Sequence, residues 1–509
     1  VSATTGAPLS QARISVAETR DRLKASSMVT SDDGHFEFSQ LRAGKYSLQG
    51  AKRGFISSAY EQHEQFSTAI VTGQEFSTEN LVLRLIPMAL ITGHVTDEFG
   101  EPVRNAQVTL YMENHGGGMT RITRFSTLQS DDRGFYDFSL LRPGKYYISV
   151  NANPWYAIHP TSASSAGESP AARVSPALDA AYPTTYYNGA TEADGATPIE
   201  VGGGDRLEID MHLNPVPALH VLFRMPRDGS GGLRMPIFQK HVFDSVEFVQ
   251  PGGMNQVTPG IFELTGVPPG RYTVRSKNAD SGQLEQSADV DLVRDGQDLT
   301  ESRGESLGSL KLSLKMPGDV PLPKQYGVGL QDSRRQLVAY QQGDSTGQFS
   351  FQDLPPGRYA ILVGSQTTPY SVTRATSPSG TSAGHDVNIT SGAALELTAS
   401  IATGVVTIEG VVQKSDKKVA GVMVALIPND PVAHMDLFRR DQSDFDGTFV
   451  LRGVIPGSYT IVAVEDAWGL EWLQPSVLAR YVQHGQILTI GELMRGTVTL
   501  PDPVEVQAH

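Results

Sequence analysis

The side chains able to catalyse or coordinate in this 509-residue sequence include twelve histidines and many carboxylates and hydroxyls, but no cysteine. A catalytic zinc needs three protein ligands at helix or strand spacing. None of the histidines stands in His-Glu-x-x-His or His-x-x-Glu, and in His63-Glu64 the two residues are adjacent rather than ligand-spaced. Without cysteine there are no thiolate metal sites, no thiol catalysis and no disulfides. Gly304-Glu305-Ser306-Leu307-Gly308 has the letters of a serine-hydrolase elbow, which needs a strand before it and a helix after it. Residues 309–314 predict a strand there, so the segment reads as a linker. Asp444-x-Asp446-Gly447 hints at a calcium loop but lacks the remaining ligands and reads as a turn. No catalytic residue, metal site or cofactor is expected, and the chain reads as a non-enzyme.

Binding chemistry has one better candidate. Residues 151–205 hold Trp155, Tyr156, Tyr182, Tyr186 and Tyr187 among Pro, Ser, Ala and Gly. Aromatics on a long loop stack on sugars or on a protein partner. They also fold back as a cover over a sheet edge, and this is the favoured reading because long loops need packed anchors. Trp468 to Leu473 followed by Val477 to Tyr481 predicts a short amphipathic helix capping its domain, with a binding patch as the minority reading.

The framework holding these residues is a repeat. Gly34-x-Phe36-x-Phe38, Leu41, Gly44, Tyr46 is the first copy. Gly134, Gly260, Gly347 and Gly447 open four more, and in each the second glycine follows by ten residues and a tyrosine by two further. Asp-Gly supplies a turn, because glycine accepts positive φ and aspartate bonds its own backbone. Apolar residues two and four places on face one side of a strand. The segment Leu/Val-x-(Pro/Ala)-Gly-x-Tyr predicts a second turn at the glycine and a new strand at the tyrosine. Tyr46, Tyr146, Tyr272, Tyr359 and Tyr459 resemble the tyrosine corner of Greek-key sandwiches, a structural role.

A leading strand pair precedes each motif, most clearly at residues 91–95 and 106–112, and a closing strand follows it. The expected fold is all-β: five tandem Greek-key, transthyretin-like or Ig-like sandwiches in an elongated array. The boundaries fall at 1–87 (lacking its leading strand), 88–216 (carrying the insertion), 217–302, 303–403 and 404–509 (with an extra C-terminal strand). Short proline-containing junctions predict a semi-rigid string.

Composition agrees. A chain of this length exceeds one core, and 51 glycines and 31 prolines spread throughout imply many turns. A net charge of −14 without a basic stripe argues against nucleic acid. No apolar run reaches the roughly 20 residues of a membrane helix.

The pattern carried by Gly93, Val95, Gly100, Pro102, Ala106, Val108, Leu110, Asp131, Gly134, Tyr136, Phe138, Leu141, Pro143, Gly144 and Tyr146 resembles the carboxypeptidase regulatory-like domain, a transthyretin-like, Cna-B-like sandwich. The resemblance implies a module without an active site of its own, found beside catalytic domains, in surface stalks or before outer-membrane barrels. It further implies an exported, bacterial, extracellular or cell-surface protein (or a periplasmic one), freed of a signal peptide. The expected function is a structural or adhesive rod. In one version, Val504 and Val506 form a donor strand that completes module one of the next copy, giving head-to-tail filaments. The alternative is a carbohydrate- or peptide-binding accessory protein using the aromatics of module two. Expected partners are further copies, another surface protein or a glycan.

Overall fold

The period-two alternation becomes a two-sheet plan that repeats along the chain. The computed structural model describes residues 1–20, 25–73, 78–116, 118–160, 175–224, 234–249, 251–278, 284–299, 305–316, 320–365, 369–377, 382–383, 385–431 and 434–508. In the second module the leading strand Ala89–Thr96 turns Ile91 and Val95 inward. It lies between the antiparallel motif strand Phe135–Leu141 and a parallel closing strand in two pieces, Arg206–Glu208 and Met211–His212. The facing sheet is built on Gln107–Asn114 and the corner strand Gly144–Asn151, with Arg121–Gln129 and Ile199–Val201 outside them. Leading strands Leu219–Arg224, Gly308–Lys315 and Val406–Lys414 repeat the first arrangement. Corner strands Gly44–Ala51, Gly270–Asn278, Gly357–Gly364 and Gly457–Val464 repeat the second. The fold is all-β, as the sequence predicts.

Separate apolar cores fall within residues 12–85, 89–213, 219–299, 310–401 and 406–504. The five-module division we propose follows these cores. Two strands sit at its boundaries: Val216–Pro217 pairs with Ala180–Ala181, and Glu305–Ser306 joins the edge of Leu284–Leu292. Ser306 of the elbow-like segment is therefore an edge-strand residue followed by the strand Gly308–Lys315; Gly304 lies outside the described residues.

The motif residues are used by the backbone. Gly134 has φ +72°, and a Cβ there would sit 2.4 Å from the Val95 carbonyl oxygen. The Asp131 carboxylate accepts the amides of Arg133 and Phe135, closing the turn. The second glycine, expected within a turn, is instead the first residue of the corner strand in all five copies. The bend falls one residue earlier. Each motif tyrosine then donates its hydroxyl to the carbonyl four residues back: Tyr46 to Arg42, Tyr146 to Arg142, Tyr272 to Pro268, Tyr359 to Pro355 and Tyr459 to Ile455, at 2.5 to 3.1 Å.

Two expectations need correction. The C-terminal strand Val504–Gln507 is not free to leave. It lies parallel between Val406–Lys414 and Gly457–Val464 of its own module, with Val504 only 2% exposed. It is the second piece of the closing strand, following Gly496–Thr499, just as Met211–His212 follows Arg206–Glu208. Nor are the modules strung out. Module one packs against module five through hydrogen bonds spanning up to 403 residues. Short junctions constrain only neighbouring modules; complementary surfaces on the end modules decide the rest. The modules touch and keep their own cores.

Candidate functional site

The aromatics of the module-two insertion divide sharply. Tyr182 and Tyr186 are buried, Tyr156 and Tyr187 half-buried, and Trp155 is 86% exposed, edge-on to Tyr156. Glu98, in the turn after the leading strand, accepts the hydroxyls of Tyr156 (2.5 Å) and Tyr182 (2.7 Å). Burial works to raise the Glu98 carboxyl, but these two hydrogen bonds outweigh it and hold it below its ordinary value. The same contact, after burial itself, pushes Tyr156 up to about 12. The structure therefore places Tyr182 and Tyr186 where a ligand does not reach, and leaves Trp155 with the rim of Tyr156 as the exposed remainder. Over its described residues, 151–160 and 175–205, the insertion folds back onto its own sheet, and part of it is a socket. Phe243 of module three enters edge-on between Tyr111 and Tyr186, against Tyr147, at ring separations of 4.9 to 5.9 Å.

The richest cluster of polar side chains lies where module one meets module five. Lys45 Nζ is 2.7 Å from Asp444 Oδ2 and 3.1 Å from Asp446 Oδ1, and also donates to Thr448 Oγ1. Asp444 Oδ1 accepts the Ala69 amide, while the Phe445 amide donates to the Ala69 carbonyl. Burial pushes the Asp446 carboxyl upward, but the Thr448 hydroxyl and Lys45 more than reverse this. Arg440 pairs with Glu64 at 2.8 Å and lies over the rings of Trp472 and Phe66. His63 stacks on Trp468 at 5.0 Å with the planes 4° apart. Buried Gln442 donates to the Glu61 carbonyl and to Thr68 Oγ1. The Asp444–Gly447 turn was legible in sequence; its second use, holding the amine of a distant lysine, was not. Trp468 and Trp472 border this cluster, and the predicted helix, Pro475–Val482, caps the sheet behind it with Leu478 and Tyr481 buried.

Two groups of titratable side chains escaped the sequence reading because sheet pairing assembles them. His94 and Glu208 project from neighbouring parallel strands and Asp210 from the break after the second, with ligand atoms within 4.8 Å of one another. Asp210 already accepts the His94 amide at 2.8 Å. Asp179 bridges His159 (2.8 Å) and His220 (2.7 Å) across the junction of modules two and three. Spacing along the chain signals neither group.

No curated protein matches the chain. Among solved structures it is similar to the Bacillus anthracis TIE protein (12% identity, 77% of this chain and 69% of that one, TM-score 0.17). It is also similar to a streptococcal ancillary pilin (13%, 55% and 98%, 0.20) and the full-length RrgB pilus protein from Streptococcus pneumoniae (8%, 74% and 90%, 0.16). Residues 1–83 and 90–169 match the family model of the carboxypeptidase regulatory-like domain, so the chain carries that domain in two tandem segments.

Proposed function

We propose that the chain is a non-catalytic structural scaffold working outside the cytoplasm, at a cell surface. The observation that carries this reading is the use made of the repeated residues. Each motif tyrosine, in all five copies, is spent on a backbone hydrogen bond within its own module. All five belong to the apolar core of their module, where none is more than 5% exposed. The acidic turn residues Asp444 and Asp446 and the tryptophans Trp468 and Trp472 serve contacts within and between modules. The domain class matched in residues 1–83 and 90–169 supports this location. Antibody labelling of the source cells tests it: signal on intact cells is expected, and signal only after permeabilisation would overturn the reading.

A second reading has one specific observation behind it. Trp155 projects from a base fixed by the Tyr156–Glu98 hydrogen bond, and Phe99 beside Glu98 is also exposed. A pre-positioned exposed indole suits stacking on a sugar ring. Binding on a glycan array that disappears in Trp155→Ala would favour an accessory binding role; no binding by the unaltered chain would remove it.

A further inference from the structure

The contact between modules one and five joins two different surfaces, and it closes within a single chain. A contact between unlike surfaces either closes a ring or, when it fails to close, continues from copy to copy. We propose that module one of one copy docks on module five of a neighbouring copy through this same contact, converting closed monomers into head-to-tail oligomers. The proposal rests on the structural reading of the chain, but it concerns assembly and not location.

Three observations carry it. First, the contact is built to be specific yet separable. Its ion pairs, Lys45 with Asp444 and Arg440 with Glu64, are part-exposed on at least one side, and Gln442 supplies directional hydrogen bonds. The Lys45–Asp444 pair is open enough to water to be screened by salt, whereas the Arg440 side chain is buried beneath two rings and is the stronger hold. Second, module one has an apolar core of its own, running from Ala12 to Leu85 and taking no residue from module five, so it keeps that core when it undocks. Third, the link to module two is a single passage of chain. The backbone of residues 86–88 is bonded back to module one at Gly54 and Ile56, and the chain meets module two mainly where Ile86, Pro87 and Thr4 face Gly203 and Gly204. Once its hydrogen bonds to module five are released, this single passage is what module one turns on as it swings out.

What holds the closed form at low concentration is tethering. The attached module one presents itself at an effective concentration of order mM. A second copy competes when the protein approaches that concentration, as on a crowded surface, or when closure is hindered. The occupant is a second copy and not an unrelated protein, because the surface that fits module five is module one, down to the reach of Lys45 between Asp444 and Asp446.

Charge reversal on one side at a time gives the test. One chain carries Lys45→Glu with Glu64→Arg; a second carries Arg440→Glu with Asp444→Lys. Each should be an open monomer with a larger radius of gyration in solution scattering. Mixed in equal amounts at about 100 μM, they should double in mass by sedimentation equilibrium, since each intact or reversed surface then finds its complement on the other chain. All four substitutions in one chain should restore a closed monomer. Single variants that stay as compact as the unaltered chain, or open variants whose mixture stays monomeric up to about 1 mM, would overturn the proposal. Should a variant lose its circular-dichroism signature, the unaltered chain at about 1 mM decides instead: oligomers that dissociate on dilution support the proposal, and monomers throughout reject it. Surface labelling of cells is unaffected by either result, so the two readings fail separately.

Discussion

Replacing Tyr459 by Phe removes one oxygen from a residue that is 0% exposed, and little else. Its hydroxyl donates to the Ile455 carbonyl at 2.6 Å, inside the core of module five. Burial pushes this phenol up to about 12, so it is a neutral donor throughout the physiological range. The ring still fills its site, so no cavity opens. The cost is that of a buried carbonyl losing this donor, about 1–3 kcal/mol. Trp468 and Trp472 both belong to module five, and Trp155 is already exposed, so the change in tryptophan fluorescence on unfolding reports module five together with the undocking of His63 from Trp468. With a urea dependence of roughly 1–3 kcal/mol per M for a domain of this size, the midpoint should fall by about 0.3–3 M. Tyr481→Phe is the control: it removes a hydroxyl that makes no hydrogen bond among the described residues and should leave the midpoint nearly unchanged. A Tyr459→Phe midpoint that matches the control would refute the structural role of the corner.

Three further outcomes follow from the same structure. Burial, with Asp444 nearby, pushes Asp441 up to about 6 against 3.8 unfolded, despite opposing amides of Val450 and Gln442. The folded form therefore takes up a proton between about pH 6 and pH 4 that the unfolded chain does not, and module five gains stability as pH falls through that window. Asp441→Asn should abolish this slope, stabilising at pH 7 by up to about 3 kcal/mol and by almost nothing at pH 4, measured by urea titration at both pH values. Gly134→Ala combines a left-handed φ with a Cβ against the Val95 carbonyl and should lower module two by about 2 kcal/mol or more, read by hydrogen exchange across its leading strand. Removing residues 501–509 uncovers the space of Val504 and half of the closing strand, so it should cost module five at least about 1.5–3 kcal/mol in urea titration; an unchanged midpoint would contradict the intramolecular pairing.

Much of the architecture was readable along the chain because its determinants are local. The spacing from Asp131 and Gly134 to Tyr136, Phe138 and Tyr146 encodes a turn, a strand and a corner within sixteen residues, and the structure uses each residue in that order. What was misread depended on pairing between distant segments. Val504–Gln507 alternates like any strand, and only its neighbours, residues 406–414 and 457–464, show that it is the native closing strand. Its analogue in module two, the break between Arg206–Glu208 and Met211–His212, is likewise visible only once the strands are paired. For Tyr186 the sequence favoured a cover over a ligand contact without naming its neighbour, because that neighbour, Phe243, lies in the next module. Lys45 carries no signal at all until module five is beside it.

The closed arrangement of modules one and five is the central structural claim, and small-angle scattering of the dilute chain at low salt tests it most directly. From the radius expected of a compact 100-residue domain, five modules folded back on themselves give a radius of gyration of roughly 30 Å and five in line roughly 50 Å. The account predicts the smaller value, rising toward the larger when Lys45→Glu is combined with Glu64→Arg; a value near 50 Å for the unaltered chain would contradict it.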